Sequence, residues 1–133
     1  AARAKELGIS PLAKIAAHAT YAKHPREFTT APIVSMQKLL EKVGWSSNSV
    51  DLFEINEAFA MVAMMAIKEL NLDPSKVNVN GGACALGHPI GASGARILVT
   101  LLYALKRLGK ARGVASLCIG GGEATSIAVE VLR

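Results

Sequence analysis

Cysteine is scarce in this chain, with two in 133 residues, and aromatic residues make up only 5% of it. Two cysteines in so apolar a sequence cannot build the dense disulfide scaffold of a small secreted domain, so free thiols in a reducing compartment are expected. The shortage of aromatics, with no zinc-finger or RNA-binding motif in sight, argues against nucleic acid as a partner. Long hydrophobic runs are missing as well. The longest uncharged, nearly all-apolar stretch, Ala58 to Ile67, falls well short of the ~20 residues a membrane-crossing helix needs, so no membrane is expected either. Lys and Arg form no dense block although the net charge is +5, so the basic excess reads as a solvated surface. The first residues, Ala1 to Gly8, hold neither an initiator Met nor a signal-peptide apolar region, and the chain is expected to begin inside a larger protein.

What is present is apolar material: 51% of the residues are hydrophobic, enough for the core of one domain. Leu12 to Tyr21 follows a Gly/Pro break, is small, apolar and partly alternating, and reads as a strand; the polar, Pro-broken Lys23 to Thr30 reads as a loop. Pro32 suits the first turn of a helix running to about Val43, which Gly44 ends. Val50 to Ile55 reads as a strand that delivers Asn56 and Glu57 to a helix from Ala58 to Leu70. That helix, with Met61, Met64 and Met65, is apolar on all sides and predicts cover on every face. Val77 to Asn80 reads as a short strand, Gly81 to Gly91 as a loop, and Ala92 to Leu108 as a helix with Ile97, Leu98, Leu101, Leu102, Leu105 and Leu108 on one stripe. Gly113 to Leu117 reads as a strand ending at Cys118, and Ser126 to Leu132 as another. This alternation predicts a layered α/β domain occupying residues 1–133.

Two reactive groups stand in glycine-rich frames: His88 within Gly81 to Gly94, and Cys118 at the head of Cys118-Ile119-Gly120-Gly121-Gly122. A lone loop His is more often structural than catalytic. So much permissive backbone beside one imidazole costs stability unless something must approach it, which favours a functional reading. A strand-end Cys is usually a small buried hydrophobe, yet the glycine amides after Cys118 are placed to cradle a developing oxyanion. Together they point to acyl transfer, with a proton acceptor and a proton donor at one rim. Cys84, between alanines, reads as packing. Asn56 is balanced between an ordinary helix cap and a group that holds a water or carbonyl oxygen near His88.

Other motifs fail on spacing. Gly87-His88-Pro89-Ile90-Gly91 lacks the Gly-Lys-Ser/Thr ending of a phosphate loop, and Thr125 stands where a dinucleotide fingerprint after Gly120 and Gly122 needs Gly or Ala. Cys84, His88 and Cys118 lack the closely paired ligands of a structural zinc site, so no metal is expected.

Asn56-Glu57-Ala58-Phe59, the Gly81 to Gly94 run with Gly87-His88-Pro89, and Cys118-Ile119-Gly120-Gly121-Gly122 resemble, in order, the three C-terminal signatures of thiolases. The resemblance covers essentially the whole chain and is strongest to the short-chain acetyl-CoA acetyltransferase branch. It implies a layered thiolase fold, of which this would be the C-terminal domain: a mixed sheet with helices on both faces, the Ala58 to Ile67 helix being one of a central buried pair. It also implies roles. His88 would accept the proton of a nucleophilic cysteine and, with a water held by Asn56, stabilise the thioester oxyanion. Cys118 would abstract or return the α-proton of the second acetyl-CoA, and the Gly120 amide would help hold the acyl-enzyme carbonyl. No cofactor beyond the coenzyme A thioester substrate is implied, and its binding residues are not identified.

The acylated cysteine of the family belongs to an N-terminal domain absent here, and neither Cys84 nor Cys118 has that nucleophile's context, so the chain alone is expected to be inactive. Homo-oligomers, a role in lipid metabolism and a cytoplasmic location, or a mitochondrial one if a transit segment lies upstream, complete what the resemblance implies. The alternatives are a longer-chain 3-ketoacyl-CoA thiolase and a non-catalytic thioester-binding module.

Overall fold

Alternating small apolar residues and well-placed breakers give four strands that pair into one mixed sheet. The computed structural model describes residues 2–132. A short helix α1 (Ala2–Glu6) precedes β1 (Ala13–Ala22), and a 3-10 turn over Pro25–Thr30 leads into α2 (Ala31–Val43). Pro32 sits in the first turn of α2, and Gly44 closes it at φ 67, a left-handed conformation that glycine adopts without a Cβ penalty. Then follow β2 (Leu52–Ile55), α3 (Ala60–Glu69), the single turn α4 (Ala83–Leu86), α5 (Ser93–Arg107), β3 (Arg112–Cys118) and β4 (Glu123–Val131).

The strand order is β1-β4-β3-β2. β4 runs antiparallel to both β1 and β3, whereas β2 pairs parallel with β3, so the chain must cross over between them through α3, α4 and α5. A crossover of that kind carries both loops of interest to one end of the sheet. Asn56 leaves β2 and Cys118 ends β3 at that edge, where Ile55 is in register with Ser116.

The period-two alternation of the strands divides the core. Phe53, Ile55, Val114, Cys118 and Ala128 face α2 and α3, packing with Met36, Leu39, Val62 and Ala66. Leu52, Ala115 and Val129 face α5, packing with Ile97, Leu101, Ala104 and Leu105. Each fully buried aliphatic side chain of this size contributes on the order of 1.5–3 kcal/mol relative to exposure. α5 lies so close that a Cβ on Gly113 would stand 2.8 Å from Leu105. Helices thus cover both faces of a mixed sheet, the layered α/β arrangement the sequence predicts.

Four local expectations change. α3 is not covered on every face: Val62, Ala63 and Ala66 are buried, but Met64 is 66% exposed and Met61 is exposed beside it. Val77 to Asn80 is not a strand; only Val77 bridges to Phe53, because Asn78 turns to φ 49 and pairs with β2 through its side chain instead. Lys23 to Thr30, read as loop, contains the 3-10 turn, and Gly81 to Gly91, also read as loop, contains the helical turn α4. Among the described residues no helix is long and apolar enough to cross a membrane.

Candidate active site

The His88 loop is held by side-chain hydrogen bonds. Asn78 accepts from the Ile55 amide at 2.8 Å and donates to the Ile55 carbonyl at 2.9 Å, so one side chain imitates a neighbouring strand and pins the loop to β2. Glu57 Oε2 accepts the Cys84 amide at 2.8 Å, satisfying a free donor at the start of α4. Gly82 must be glycine for this to happen: its φ is +70, and a Cβ would stand 2.5 Å from the Glu57 carboxylate. Cys84 itself is exposed, contrary to its reading as a packing residue; its backbone, not its side chain, is what the fold uses. The Cys84 thiol also faces the Glu57 carboxylate, and its side-chain hydrogen bond to Glu57, with lesser help from burial and the carboxylate charge, pushes it up from the ordinary value.

At the end of this loop His88 Nδ1 lies 2.5 Å from Ser93 Oγ. Ser93 is fully buried, and its hydroxyl donates to the Pro89 carbonyl at 3.1 Å. A hydroxyl has one proton; when Ser93 gives it to Pro89, Nδ1 supplies the proton of the His88–Ser93 bond and Nε2 carries the lone pair. We assign this tautomer, with Nε2 as the base, from the pairing of Ser93 with Pro89.

Cys118 is placed by backbone. It closes β3 opposite Ala124, and β3 and β4 are joined by a tight turn in which the Gly122 amide donates to the Ile119 carbonyl at 3.0 Å and the Ile119 amide to the Glu123 carbonyl at 2.7 Å. Gly122 stands at φ +107, where a Cβ would fall on the Lys23 carbonyl oxygen. No such turn or ladder bond takes the Gly120 amide among the described residues, so it remains a free donor. The Cys118 side chain is 6% exposed. Burial pushes its thiol up, only partly opposed by a backbone hydrogen bond, so it is a neutral thiol at neutral pH.

The two loops meet. His88, Cys118 and Gly120 line one cavity of about 350 Å³, whose remaining wall is apolar: Phe28, Ala58, Phe59, Ile90, Leu117 and Ile119. Phe28 and Phe59 pack edge to face at 6.1 Å between centroids. A largely apolar pocket with a few convergent polar groups is the usual form of a small-molecule site.

Asn56 is no helix cap. The cap position of α3 is Phe59, and the buried Asn56 side chain turns the other way, its Nδ2 lying 3.4 Å from His88 Nδ1 and 3.5 Å from Nε2. Its Oδ1 accepts from Arg96 at 3.5 Å, and Arg96 pairs at 3.1 Å with Glu54, which is 1% exposed. Burial raises the Glu54 carboxyl, the Arg96 charge and hydrogen bond pull it back, and Glu57 adds a smaller upward push.

The structure therefore brings all four sequence-derived residues, His88, Cys118, Asn56 and Gly120, to one place. Sequence reasoning missed five polar residues around them: Glu54, Glu57, Asn78, Ser93 and Arg96. One signal was there to be read, since a Glu inside the buried run Leu52-Phe53-Glu54-Ile55 needs a cationic partner. Among the described residues, no three His, Cys, Asp or Glu side chains are grouped so as to hold a metal ion.

Comparison with known proteins accords with this geometry. The model of the family "Thiolase, C-terminal domain" matches residues 9–131. The chain is 52% identical to an acetyl-CoA acetyltransferase of Allochromatium vinosum over 128 residues, 96% of this chain and 32% of that protein. It is also 52% identical to the cytosolic acetyl-CoA acetyltransferase of Mus musculus over 122 residues, 92% of this chain and 31% of the relative. A crystal structure of the Bacillus anthracis acetyl-CoA acetyltransferase superposes with a TM-score of 0.96 at 48% identity, covering 98% of this chain and 33% of that one. A thiolase from Ascaris suum in complex with coenzyme A does so with a TM-score of 0.92 at 48% identity, over 97% of this chain and 33% of that one. The chain thus spans about a third of the length of the relatives it matches. Sequence, fold and site agree on one assignment: the chain belongs to the thiolase family and corresponds to its C-terminal domain.

Proposed function

We propose that this chain is the C-terminal catalytic half of a thiolase that transfers an acetyl group between acetyl-CoA molecules, condensing two into acetoacetyl-CoA and running the thiolysis in reverse. The observation that carries this reading is the shared cavity, which presents a basic Nε2, a buried thiol and an uncommitted backbone amide to one small apolar space.

A nucleophilic cysteine from an N-terminal domain attacks the acetyl thioester and gives its proton to His88 Nε2. The new C–S bond forms, the bond to coenzyme A breaks, and the imidazolium returns the proton to the departing thiolate. Splitting the transfer at this acyl-enzyme replaces one difficult step with two easier ones. In the second half, Cys118 as a thiolate takes the α-proton of another acetyl-CoA. The resulting carbanion attacks the acyl-enzyme, a C–C bond forms as the acyl C–S bond breaks, and the released enzyme thiolate recovers its proton from Cys118 by way of His88. Once His88 Nε2 has taken the proton, it and Asn56 Nδ2, 3.5 Å away, are both donors that can turn toward one oxygen as charge develops on the thioester. The Gly120 amide serves the acyl-enzyme carbonyl.

Without the nucleophile, residues 1–133 by themselves are inactive in this reading, and the N-terminal domain is their first partner, a second copy of the whole protein the next. Two unpaired cysteines fit a reducing location, the cytoplasm. The test is a steady-state comparison of acetoacetyl-CoA with longer 3-ketoacyl-CoA thioesters on the full-length protein. A strong preference for the short substrate supports the proposal; comparable rates on long chains replace it with a longer-chain thiolase, and thioester binding without turnover replaces it with a binding module.

A further inference from the structure

Asn56 can place its Nδ2 against His88 only if its amide is prevented from flipping, because the two ends of the group are almost the same size and shape. The structure contains the means to prevent it. Arg96, on the first turns of α5, is a donor at every nitrogen; the Asn56 end that faces it at 3.5 Å must be the oxygen, which leaves the Nδ2 for the imidazole. Arg96 in turn is fixed by Glu54 at 3.1 Å, a carboxylate buried within β2. The Arg96 Nε is buried without any acceptor among the described residues. Among the described residues, then, no hydrogen bond at Nε holds the group. Its fork is aimed instead at the two acceptors on the β2 side, Glu54 and Asn56.

We propose that Glu54 and Arg96 are positioning residues for the catalytic centre: Glu54 orients Arg96, and Arg96 locks the Asn56 amide with its nitrogen toward His88. Neither is among the residues that line the cavity. The inference rests on the thiolase reading for its effect on turnover, but not for the contact itself.

Arg96→Lys in the full-length protein separates the two jobs of the fork. A lysine keeps a point charge for Glu54 and lacks the planar second arm that reaches Asn56. Turnover of acetoacetyl-CoA is expected to fall about tenfold in kcat with little change in KM, since a misplaced amide affects the transition state more than binding. The decisive measurement is a double-mutant cycle with Asn56→Ala. If Arg96 works through Asn56, the lysine substitution costs less than about twofold once Asn56 is gone; a second full loss, multiplying the first, overturns the proposal. Proton–nitrogen NMR of the Asn56 side-chain amide reads the contact without catalysis. Arg96→Lys is expected to move that resonance, and an unmoved one sinks the inference whatever the rates do. Should Arg96→Lys fail to fold, Glu54→Gln, which preserves shape and removes the charge that orients the fork, is judged by the same resonance and the same criterion. A wild-type protein that turns over no thioester refutes the proposed function and leaves the amide measurement standing.

Discussion

The two loops that meet at the cavity are held in place by opposite means. His88 is positioned by side chains: Ser93 on its Nδ1, Asn56 along the ring edge, Glu57 and Asn78 behind the loop that carries it. Cys118 is positioned by main chain: a strand ladder, a glycine turn and the close passage of Lys23. The difference matches the two tasks proposed for them. A general base must present one defined nitrogen, which requires a hydrogen-bonded tautomer, whereas a thiol that moves one proton requires only a fixed, desolvated place. Polar substitutions near His88 should therefore damage chemistry first, and backbone substitutions near Cys118 should damage the fold first.

The largest expected effect tests whether the groups divide the reaction as proposed. In the full-length protein, His88→Ala and Cys118→Ala should each lower turnover by roughly 10²–10⁴-fold, the range typical of lost acid–base catalysis. They should differ in which half-reaction fails. Cys118→Ala is expected to form acyl-enzyme but to stop exchanging the methyl protons of acetyl-CoA for deuterium, while His88→Ala slows both. Exchange that persists without Cys118 would remove the thiol from its assigned step.

Glycine substitutions sharpen the contrast next. Gly122→Ala combines φ +107 with a collision against the Lys23 backbone, which cannot rotate away. A loss of about 1–3 kcal/mol of stability is expected in denaturant unfolding of the full-length protein. Gly82→Ala is strained as well, at φ +70, but the group it meets is the movable Glu57 carboxylate, so it should destabilise less than Gly122→Ala and in addition lower kcat as that carboxylate leaves the Cys84 amide. Equal destabilisation by the two would mean that the His88 loop is as rigidly framed by backbone as the Cys118 turn.

Much of this was legible in the sequence, for identifiable reasons. The strands and the helices α2 and α5 are marked by apolar periodicity and by Pro32 and Gly44 at the ends of α2. His88 and Cys118 stand out because glycine is costly where nothing needs it. Asn56 stayed ambiguous because capping and site roles favour the same residue before a helix, and only its direction, away from α3, decides. Asn78 was hidden for a related reason: in Val77-Asn78-Val79-Asn80 the alternation imitates a strand, while the side chain of Asn78 has taken over the ladder's hydrogen bonds. The exposed Met61 and Met64 show where composition misleads, since an all-apolar helix predicts cover without saying which chain supplies it.

A smaller effect, on the Cys118 side, concerns pH. Burial raises the thiol above its ordinary value, so the thiolate proposed to take the α-proton is the minor form at neutral pH. Its fraction grows about tenfold per pH unit until the raised pKa is reached. Deuterium exchange into acetyl-CoA should therefore climb steadily from mildly acid to mildly alkaline buffer. A flat profile would mean that the thiol already carries its charge at neutral pH, and that burial does not govern it.

The smallest effect lies on the His88 side. Ser93→Ala removes the acceptor for Nδ1–H and the donor to the Pro89 carbonyl, both within a fully buried contact. Losing a net hydrogen bond is worth about 1 kcal/mol, or roughly fivefold in an equilibrium. That equilibrium is between tautomers: with Ser93 gone, the ring is free to place its proton on Nε2, where it can no longer accept one. A fall in kcat of about threefold to tenfold is expected, with long-range proton–nitrogen NMR showing the Nε2–H form of His88 appear. The fold should hold, because the hydroxyl is replaced by a smaller group on a helix that Ile97, Leu101 and Leu105 already anchor. If kcat falls while the tautomer stays as it was, Ser93 matters for the shape of the Pro89 turn and not for the proton, and His88 is held by its loop in the same way that Cys118 is held by its strand.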